Sequence, residues 1–222
     1  MKISQLNILL KKKRGVSYCR NIGINKSNGD FISFVDSDDK LSKGAIKLIL
    51  KHLNKFNEND VFILKNLILN DEKKPGGNHD YYQTFEFKKR RSIISCTEKL
   101  NKFRATCWNL IVKREFLENH KILFRDIQTA EDWVFVSEVY CLLKSFYFIK
   151  TPIYIHRTYE LETLGRERGY IRADSHIKVI CEILKFINKK KNFLNKEKIL
   201  FLLRIINLSA QELFWNVGIC NE

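Results

Sequence analysis

Three carboxylates crowd into the four positions Asp36-Ser37-Asp38-Asp39, and a second acidic pair, Glu131-Asp132, stands further along the chain. Like charges this close repel, and the ionised set becomes favourable when a divalent cation sits among them. All-oxygen donors select Mg²⁺ or Mn²⁺. In the pair at 131–132 each carboxylate opposes ionisation of the other. With partial burial, that raises a pKa toward the range where a carboxylate can accept a proton as a general base. Plainer readings stand beside both. Asp-Ser-Asp-Asp is also turn and helix-cap chemistry, and an acidic pair also suits the first turn of a helix.

The surrounding residues say what must hold these groups. Phe31 to Val35 reads as a short buried strand ending at the acidic triplet, and strands of open α/β sheets present their carboxyl ends to a ligand crevice. Upstream, Asn7 to Leu10 is an edge-strand candidate, and Ser17 is placed to cap a helix reaching about Asn25, closed by Asn28-Gly29 as a left-handed stop. Ser42 is placed to cap a helix carrying Ala45, Ile46, Ile49, Leu50 and Leu53 on one face. Asp60 to Leu69 reads as a second buried strand, followed by a polar loop with Pro75-Gly76-Gly77. Tyr81 to Phe87 and Thr106 to Val112 are strand candidates, and Ser92 to Leu100 a helix. Glu131 opens a helix to about Lys144, and two short strands, Phe146–Lys150 and Ile153–His156, flank Pro152. This alternation predicts an α/β fold. Ile177, Ile180, Cys181, Leu184 and Ile187 form one helical stripe, and the apolar residues from Leu200 to Phe214 a second. The boundary falls near residue 158, dividing an α/β part, 1–158, from a helical part, 159–222.

The chain has 222 residues, of which 45% are hydrophobic and 29% charged, the composition of a globular protein. A net charge of +15, concentrated at Lys11–Arg14, Lys88–Arg91 and Lys189–Lys191, predicts attraction to anions. No RNP, helix-turn-helix or finger signature accompanies it, so nucleic acid is not the expected partner. The six cysteines form no C-x-x-C pair and read as thiols of a reducing compartment. No apolar run is long enough to span a bilayer, so the expected location is cytoplasmic, or peripheral at the inner face of the cytoplasmic membrane.

The segment Gly15-Val16-Ser17-Tyr18-Cys19-Arg20-Asn21-Ile22-Gly23, followed by Gly29-Asp30-Phe31-Ile32-Ser33-Phe34-Val35-Asp36-Ser37-Asp38-Asp39, resembles the core of family 2 glycosyltransferases. The family pattern is G-x-S-x-A-R-N-x-G, then G-x-[YF]-I-x-F-x-D-x-D-D, with Cys19 standing where alanine is usual. Downstream, Trp108-Asn109, Lys113-Arg114-Glu115-Phe116-Leu117, Phe124 and Glu131-Asp132-x-x-Phe135 are similar to its acceptor-side segment. Pro152-Ile153-Tyr154-Ile155-His156-Arg157 is similar to its P-x-Y-x-Y-R strand, with His156 replacing an aromatic residue. The resemblance covers residues 7–158. The family's opening strands, of the S-I-I-I-P-x-Y-N and D-D-G-S types, have no counterpart, so the expectation is a GT-A, Rossmann-like mixed sheet that is incomplete at its N-terminus. The resemblance thus implies a family member lacking about its first 60 residues.

The resemblance implies an inverting, metal-dependent transfer of a sugar from a nucleotide sugar, a UDP-sugar by expectation, to a glycan or lipid-linked acceptor. The biological setting it implies is bacterial surface polysaccharide or lipooligosaccharide synthesis. Asp38 would be the direct metal ligand, for Mn²⁺ or Mg²⁺, with Asp36 beside it near the ribose or a metal-bound water. Asp132 would be the base, with Glu131 adjacent, and Arg20 and Asn21 would shape the nucleotide side. Asp39 at the site edge, Trp133 and His156 are the candidate acceptor or sugar contacts, and Trp108 is open between sugar stacking and core packing. The incomplete N-terminus leaves open a chain inactive by itself. The alternative is a non-enzymatic basic module binding nucleic acid or membrane. In either case the helices beyond residue 170, apolar on one face and lysine-rich, have two readings: packing on the α/β part and on each other with the lysines solvated, or lying at an anionic membrane surface.

Overall fold

A strand apolar at every position can be buried on both faces, and Val61-Phe62-Ile63-Leu64 meets that condition. In the computed structural model, which describes residues 15–71, 74–75, 93–94, 105–157 and 169–219, this segment opens the strand Val61–Asp71, β3 of the chain. Before it come α1 (Val16–Lys26), β1 (Phe31–Ser33), β2 (Lys40–Leu41) and α2 (Ala45–Lys55). After it come β4 (Lys74–Pro75), a 3-10 turn at Cys107–Asn109, β5 (Leu110–Lys113), α3 (Arg114–His120), α4 (Glu131–Leu142) and β6 (Phe146–Arg157). A helical hairpin closes the described chain, α5 (Tyr170–Lys190) and α6 (Lys196–Ile219).

The sheet is mixed, in the order β1-β5-β3-β6-β2, with β4 paired to β3. Among the described residues β3 and β6 run parallel and the other pairs are antiparallel. Alternation sorts the central residues between two apolar layers. Val61, Ile63, Leu110, Val112 and Phe148 face a large cluster built with α1, α3, α4, α5 and α6. Phe62, Leu64, Ile111, Ile149 and Ile153 face a smaller one under α2, with Ala45, Ile49 and Leu53. α4 is buried on nearly every side, because the sheet covers one flank and the α5–α6 hairpin the other. The expected α/β mixed sheet with flanking helices is therefore present.

Several local expectations change. β1 has three residues rather than five, and its ladder with β5 ends at the Ser33–Ile111 pair. Phe34 then leaves the sheet and packs edge-on against Phe124 and Phe135, at 5.3 and 5.7 Å between ring centroids. Ser17 does not cap α1. It lies inside the helix, its hydroxyl donating to the Ile127 carbonyl at 3.3 Å, and the cap position is Gly15 at φ 82°. Gly29 is no left-handed stop; α1 ends at Ser27 in extended conformation, with the Ser27 hydroxyl turned back onto the Ile24 carbonyl. Thr106–Val112 is not all strand, since Cys107–Asn109 forms the 3-10 turn.

The two strands expected around Pro152 are one strand with a register shift, where Leu64 pairs with Ile149 but Lys65 with Pro152. Proline has no amide hydrogen for a ladder and is tolerated at a bulge. Ser42 satisfies carbonyls there: its hydroxyl donates to Pro152 O at 3.2 Å and its amide to Ile153 O at 2.8 Å. The expected helix cap is thus a bulge clamp, and α2 starts instead after Gly44 in the left-handed region. In the loop beyond β3, Lys74–Pro75 returns as β4. Of the expected helix at 92–100, Ile93 and Ile94 are helical and buried. The strand candidates at 7–10 and 81–87 lie outside the described residues.

Phe135 is fully buried and stacks on Phe124 at 4.1 Å between centroids. Phe135→Ala should cost about 3–5 kcal/mol of stability. Urea unfolding reads this as a lower midpoint at unchanged m-value, and a loss below about 1 kcal/mol would contradict this packing.

Candidate active site

The acidic stretch that ends the first strand forms a turn, with the Asp39 amide donating to the Asp36 carbonyl at 3.1 Å. Turn and ligand set are thus the same object. One carboxylate oxygen from each of Asp36, Asp38 and Asp39 lies within 4.8 Å of the others. Their environments separate them. Asp38 is exposed and Asp36 partly so, while the Asp39 carboxylate is fully buried. The Tyr154 hydroxyl donates to Asp39 at 2.6 Å, and His156 Nδ1 lies 3.1 Å from the same carboxylate. Asp39 therefore does not face the site edge, as the resemblance implied. It anchors β6 beneath the turn.

Tyr154 and His156 are two positions apart and so share one face of β6. Trp108 lies against both, with ring centroids 4.5 and 5.3 Å away at nearly parallel planes. The Tyr154 hydroxyl also accepts the Asp36 amide at 3.1 Å, which makes a continuous relay from Asp36 N–H through Tyr154 to Asp39. Burial, with Asp39 next in weight, pushes the Tyr154 phenol well above its ordinary pKa, so it stays a donor.

α1 supplies the other half of the site. Arg20, with a side chain only 12% exposed, spans the acidic turn and the start of α4. Its Nη2 donates to Asp36 Oδ1 at 2.9 Å; its Nη1 donates to Glu131 Oε1 at 2.5 Å and to Asp132 Oδ1 at 2.7 Å. The guanidinium also lies over the Phe124 ring, 5.2 Å from its centroid, a cation–π contact. The next residue, Asn21, donates to the Phe124 carbonyl and accepts the Phe124 amide, both at 2.9 Å. Asn21 thus fixes the loop leading into α4, and its amide is occupied by backbone.

α4 begins at Glu131, directly after Ala130 in the left-handed region. Both oxygens of Asp132 are held. Oδ1 takes Arg20, and Oδ2 takes the Cys107 amide at 2.9 Å. Burial dominates the electrostatics of this corner. It raises the pKa of Asp132 even against Arg20 and the Cys107 hydrogen bond. Burial, then the Asp132 charge, raises Glu131 to about 7. Burial disfavours the Arg20 charge, but Asp132, Glu131 and Asp36 outweigh it and keep the guanidinium protonated.

The structure therefore joins Asp36, Glu131 and Asp132 through Arg20, with Asp38 at the exposed rim of the same turn. His156 reaches the site through Asp39, its side chain about one-third exposed. Trp133 stands beside Asp132 in sequence but meets His176 of α5 edge-on, 5.2 Å between centroids. Trp108 is buried in the stack beneath the turn. Two contributors were not among the expected site residues. Cys107 reads as a small core residue, and only tertiary contact puts it on Asp132. Tyr154 stands in the P-x-Y-x-Y-R match two residues before His156, and that position was the signal.

The oxygen-only donor set of Asp36 and Asp38 fits a hard divalent cation such as Mg²⁺ or Mn²⁺, while Asp39 is committed to Tyr154 and His156. Across this set, the raised Asp132 carboxylate has the character of a proton acceptor.

Comparison with known proteins gives consistent results. The profile described as glycosyl transferase family 2 matches residues 4–121. The Bacillus subtilis protein named as glycosyltransferase EpsH is 24% identical over 69% of this chain and 45% of its own length. The cholesterol galactosyltransferase of Borreliella burgdorferi is 20% identical over 98% of this chain and 63% of its own. The crystal structure of S. aureus TarS 1–349 in complex with UDP-GlcNAc superposes with a TM-score of 0.64 at 18% identity, over 94% of this chain and 56% of that one. The chain thus spans between about half and two thirds of these relatives.

A second buried carboxylate tests how burial governs this helix. Glu138 of α4 pairs with Arg125 at 2.5 Å, yet burial raises its pKa from 4.5 to about 7. Between those values the folded state binds the proton that the unfolded state has lost. Stability is therefore highest below about pH 4.5 in this respect and falls as pH rises through about 7, by at most about 3 kcal/mol for this group. Glu138→Gln should flatten the fall in unfolding free energy between pH 5 and pH 8, as read by urea titration at each pH. An unchanged slope would contradict the shift.

Proposed function

This chain belongs to glycosyltransferase family 2 and has the GT-A fold, and on that premise we propose that it transfers a sugar from a UDP-sugar to an acceptor hydroxyl with inversion at the anomeric carbon. The observation that carries this reading is the single guanidinium of Arg20, which ties the acidic turn at Asp36 to the carboxylate pair Glu131-Asp132. A donor-side acidic set and a candidate base are thereby held in one fixed frame. The complex of TarS with UDP-GlcNAc supports a UDP-sugar as donor.

In this reading Asp132 takes the proton from the acceptor hydroxyl as the new bond from oxygen to the anomeric carbon forms. The bond to the phosphate oxygen breaks on the opposite face, and its electron pair leaves with UDP. Cys107 orients Asp132 through Oδ2, so the proton is accepted by a carboxylate of fixed bearing. The upward shift of Asp132 brings it closer to a useful proton affinity at neutral pH. Asp38 and Asp36 would hold a Mg²⁺ or Mn²⁺ ion, which when bound supplies positive charge against that developing on the leaving diphosphate. Tyr154 and Asp39 keep the turn that carries them in place. Glu131 shares Arg20 with Asp132 and so adjusts the charge the base experiences. His156 and Trp133, at the margins, are the residues for acceptor contact.

Relatives named for cholesterol galactosyl transfer and for teichoic acid synthesis in Bacillus subtilis and Staphylococcus epidermidis support a lipid-linked or glycan acceptor in cell-surface assembly.

Two outcomes are expected. Asp132→Asn should lower kcat for UDP release from UDP-sugars by about 10²-fold or more, with UDP affinity little changed. Normal turnover in that variant would remove Asp132 as the base. Asp38→Asn should weaken Mn²⁺ binding by about tenfold or more in isothermal titration. Equal affinity in the two proteins would sink the ligand assignment.

A further inference from the structure

The exposed apolar side chains are unevenly distributed. Nine of the eleven exposed large hydrophobic residues among those described lie on the α5–α6 hairpin: Tyr170, Ile171, Ile177, Leu184, Phe193, Leu200, Leu203, Phe214 and Trp215. The hairpin does have a satisfied inner face. Val179, Ile183 and Phe186 of α5, with Phe201, Leu202 and Ile205 of α6, are buried in the main core against α4. The apolar residues on the outside are therefore additional to those that fasten the hairpin to the protein.

Their spacing makes a surface. Ile177 and Leu184 are seven apart and share a stripe of α5; Leu200, Leu203 and Phe214 share one on α6. The Arg172–Glu212 ion pair at 3.2 Å, with the Gly169 amide bonded to Asn216 at 3.3 Å, fixes the antiparallel register. That register brings Leu184 level with Leu200 and Leu203. The half-buried Ile187, Ile199 and Ile206 lie along the same hairpin and pack on the core. From Tyr170 to Leu184 the stripe of α5 runs about 20 Å, with Phe193, 74% exposed, at the hairpin tip and Tyr170, Phe214 and Trp215 at the other end.

The charge around it is one-sided. Residues 170–216 contain nine Lys and Arg against four Asp and Glu. Three of the four acids are neutralised within the protein: Asp174 by Lys178, Glu182 by Lys185 and Arg125, and Glu212 by Arg172. The tip lysines, Lys189, Lys190, Lys191, Lys196 and Lys198, have no ion pair with a described residue. Lys190 lies over the Phe193 ring at 5.6 Å, so charge and apolar surface meet at the tip.

We propose that this outer face of the hairpin docks on an anionic lipid bilayer, with Phe193 and the outer leucines entering the interface and the tip lysines on the headgroups. A protein partner fits less well, because interface cores are depleted in lysine and these lysines border the apolar stripe. A bilayer accommodates both features, apolar side chains in the acyl boundary and ammonium groups at anionic phosphates. Tyrosine and tryptophan at one end are interface-seeking side chains. No helix among the described residues is long and apolar enough to cross a membrane, so the hairpin lies on the surface and does not span it.

The test needs neither donor nor acceptor and is independent of the catalytic reading. The full chain is sedimented with vesicles of phosphatidylcholine alone and of phosphatidylcholine with phosphatidylglycerol, at low and at high salt. Binding is expected only with phosphatidylglycerol and should weaken with salt. Joint substitution Lys189→Glu, Lys190→Glu and Lys191→Glu, and separately Phe193→Ser, should each reduce it by about tenfold or more at unchanged melting temperature. Binding that is equal on both vesicle types, absent from both, or unaffected by both variants overturns the proposal. So does a dimer in light scattering that Leu184→Glu dissociates in a chain that binds no vesicles, since the face would then join two copies.

Discussion

A guanidinium taken out of water must find negative partners, and Arg20 finds three, on two widely separated segments of the chain. Asp36 comes from the turn after β1, and Glu131 and Asp132 from the start of α4. Each is placed by its own element, but the charge of Arg20 makes their joint burial tolerable. One cation for three carboxylates leaves the centre acid-rich. Burial above all, with the neighbouring carboxylates adding to it, makes Glu131 and Asp132 harder to ionise than usual even with an arginine in contact. Such a cluster is an expense for folding stability, and proteins keep unrelieved charge of this kind at sites that act on something.

The frame around Arg20 is built from α1. Ser17, Arg20 and Asn21 project toward the loop and helix that follow α3, and each makes a specific bond there: to the Ile127 carbonyl, to the Glu131-Asp132 pair, and to the Phe124 backbone. Phe124 in turn stacks on Phe135 and lies under the guanidinium. The polar contacts of α1 thus end on the same residues that form the apolar core of α4, so a shift of the site would require a shift of the core.

A second frame holds the acidic turn from below. The register shift at Pro152 would leave carbonyls unpaired, and Ser42 bonds two of them. Beyond the shift, Tyr154 and His156 point together at Asp39, with Trp108 stacked alongside. Three neighbouring aspartates therefore have different tasks. Asp39 is structural, Asp36 is shared with Arg20, and Asp38 stands toward solvent.

Much of this was legible from the order of residues alone. The apolar run at Val61–Leu64, the strand leading to Asp36–Asp39, the helical stripes of α2, α5 and α6, and the acidic start of α4 all depend on local sequence, and each formed near its expected place. The ordered motifs around Arg20, Asp36–Asp39 and Glu131-Asp132 were sufficient to indicate the family. Local signals were poorer at assigning the work of single polar side chains. Ser17 and Ser42 have the chemistry of helix caps, but each found a stronger claim in a carbonyl more than a hundred residues away. Asp39 was indistinguishable from Asp38 until Tyr154 and His156 arrived from β6. Cys107 became a ligand of Asp132 only because a 3-10 turn set its amide there. By itself the sequence determined which segments are helix or strand, which faces are apolar and which residue types are available for chemistry, since these follow from spacing along the chain. Only the tertiary structure decided which carboxylate faces solvent, which is buried and which shares Arg20, because burial and charge pairing depend on what distant segments bring to the same point.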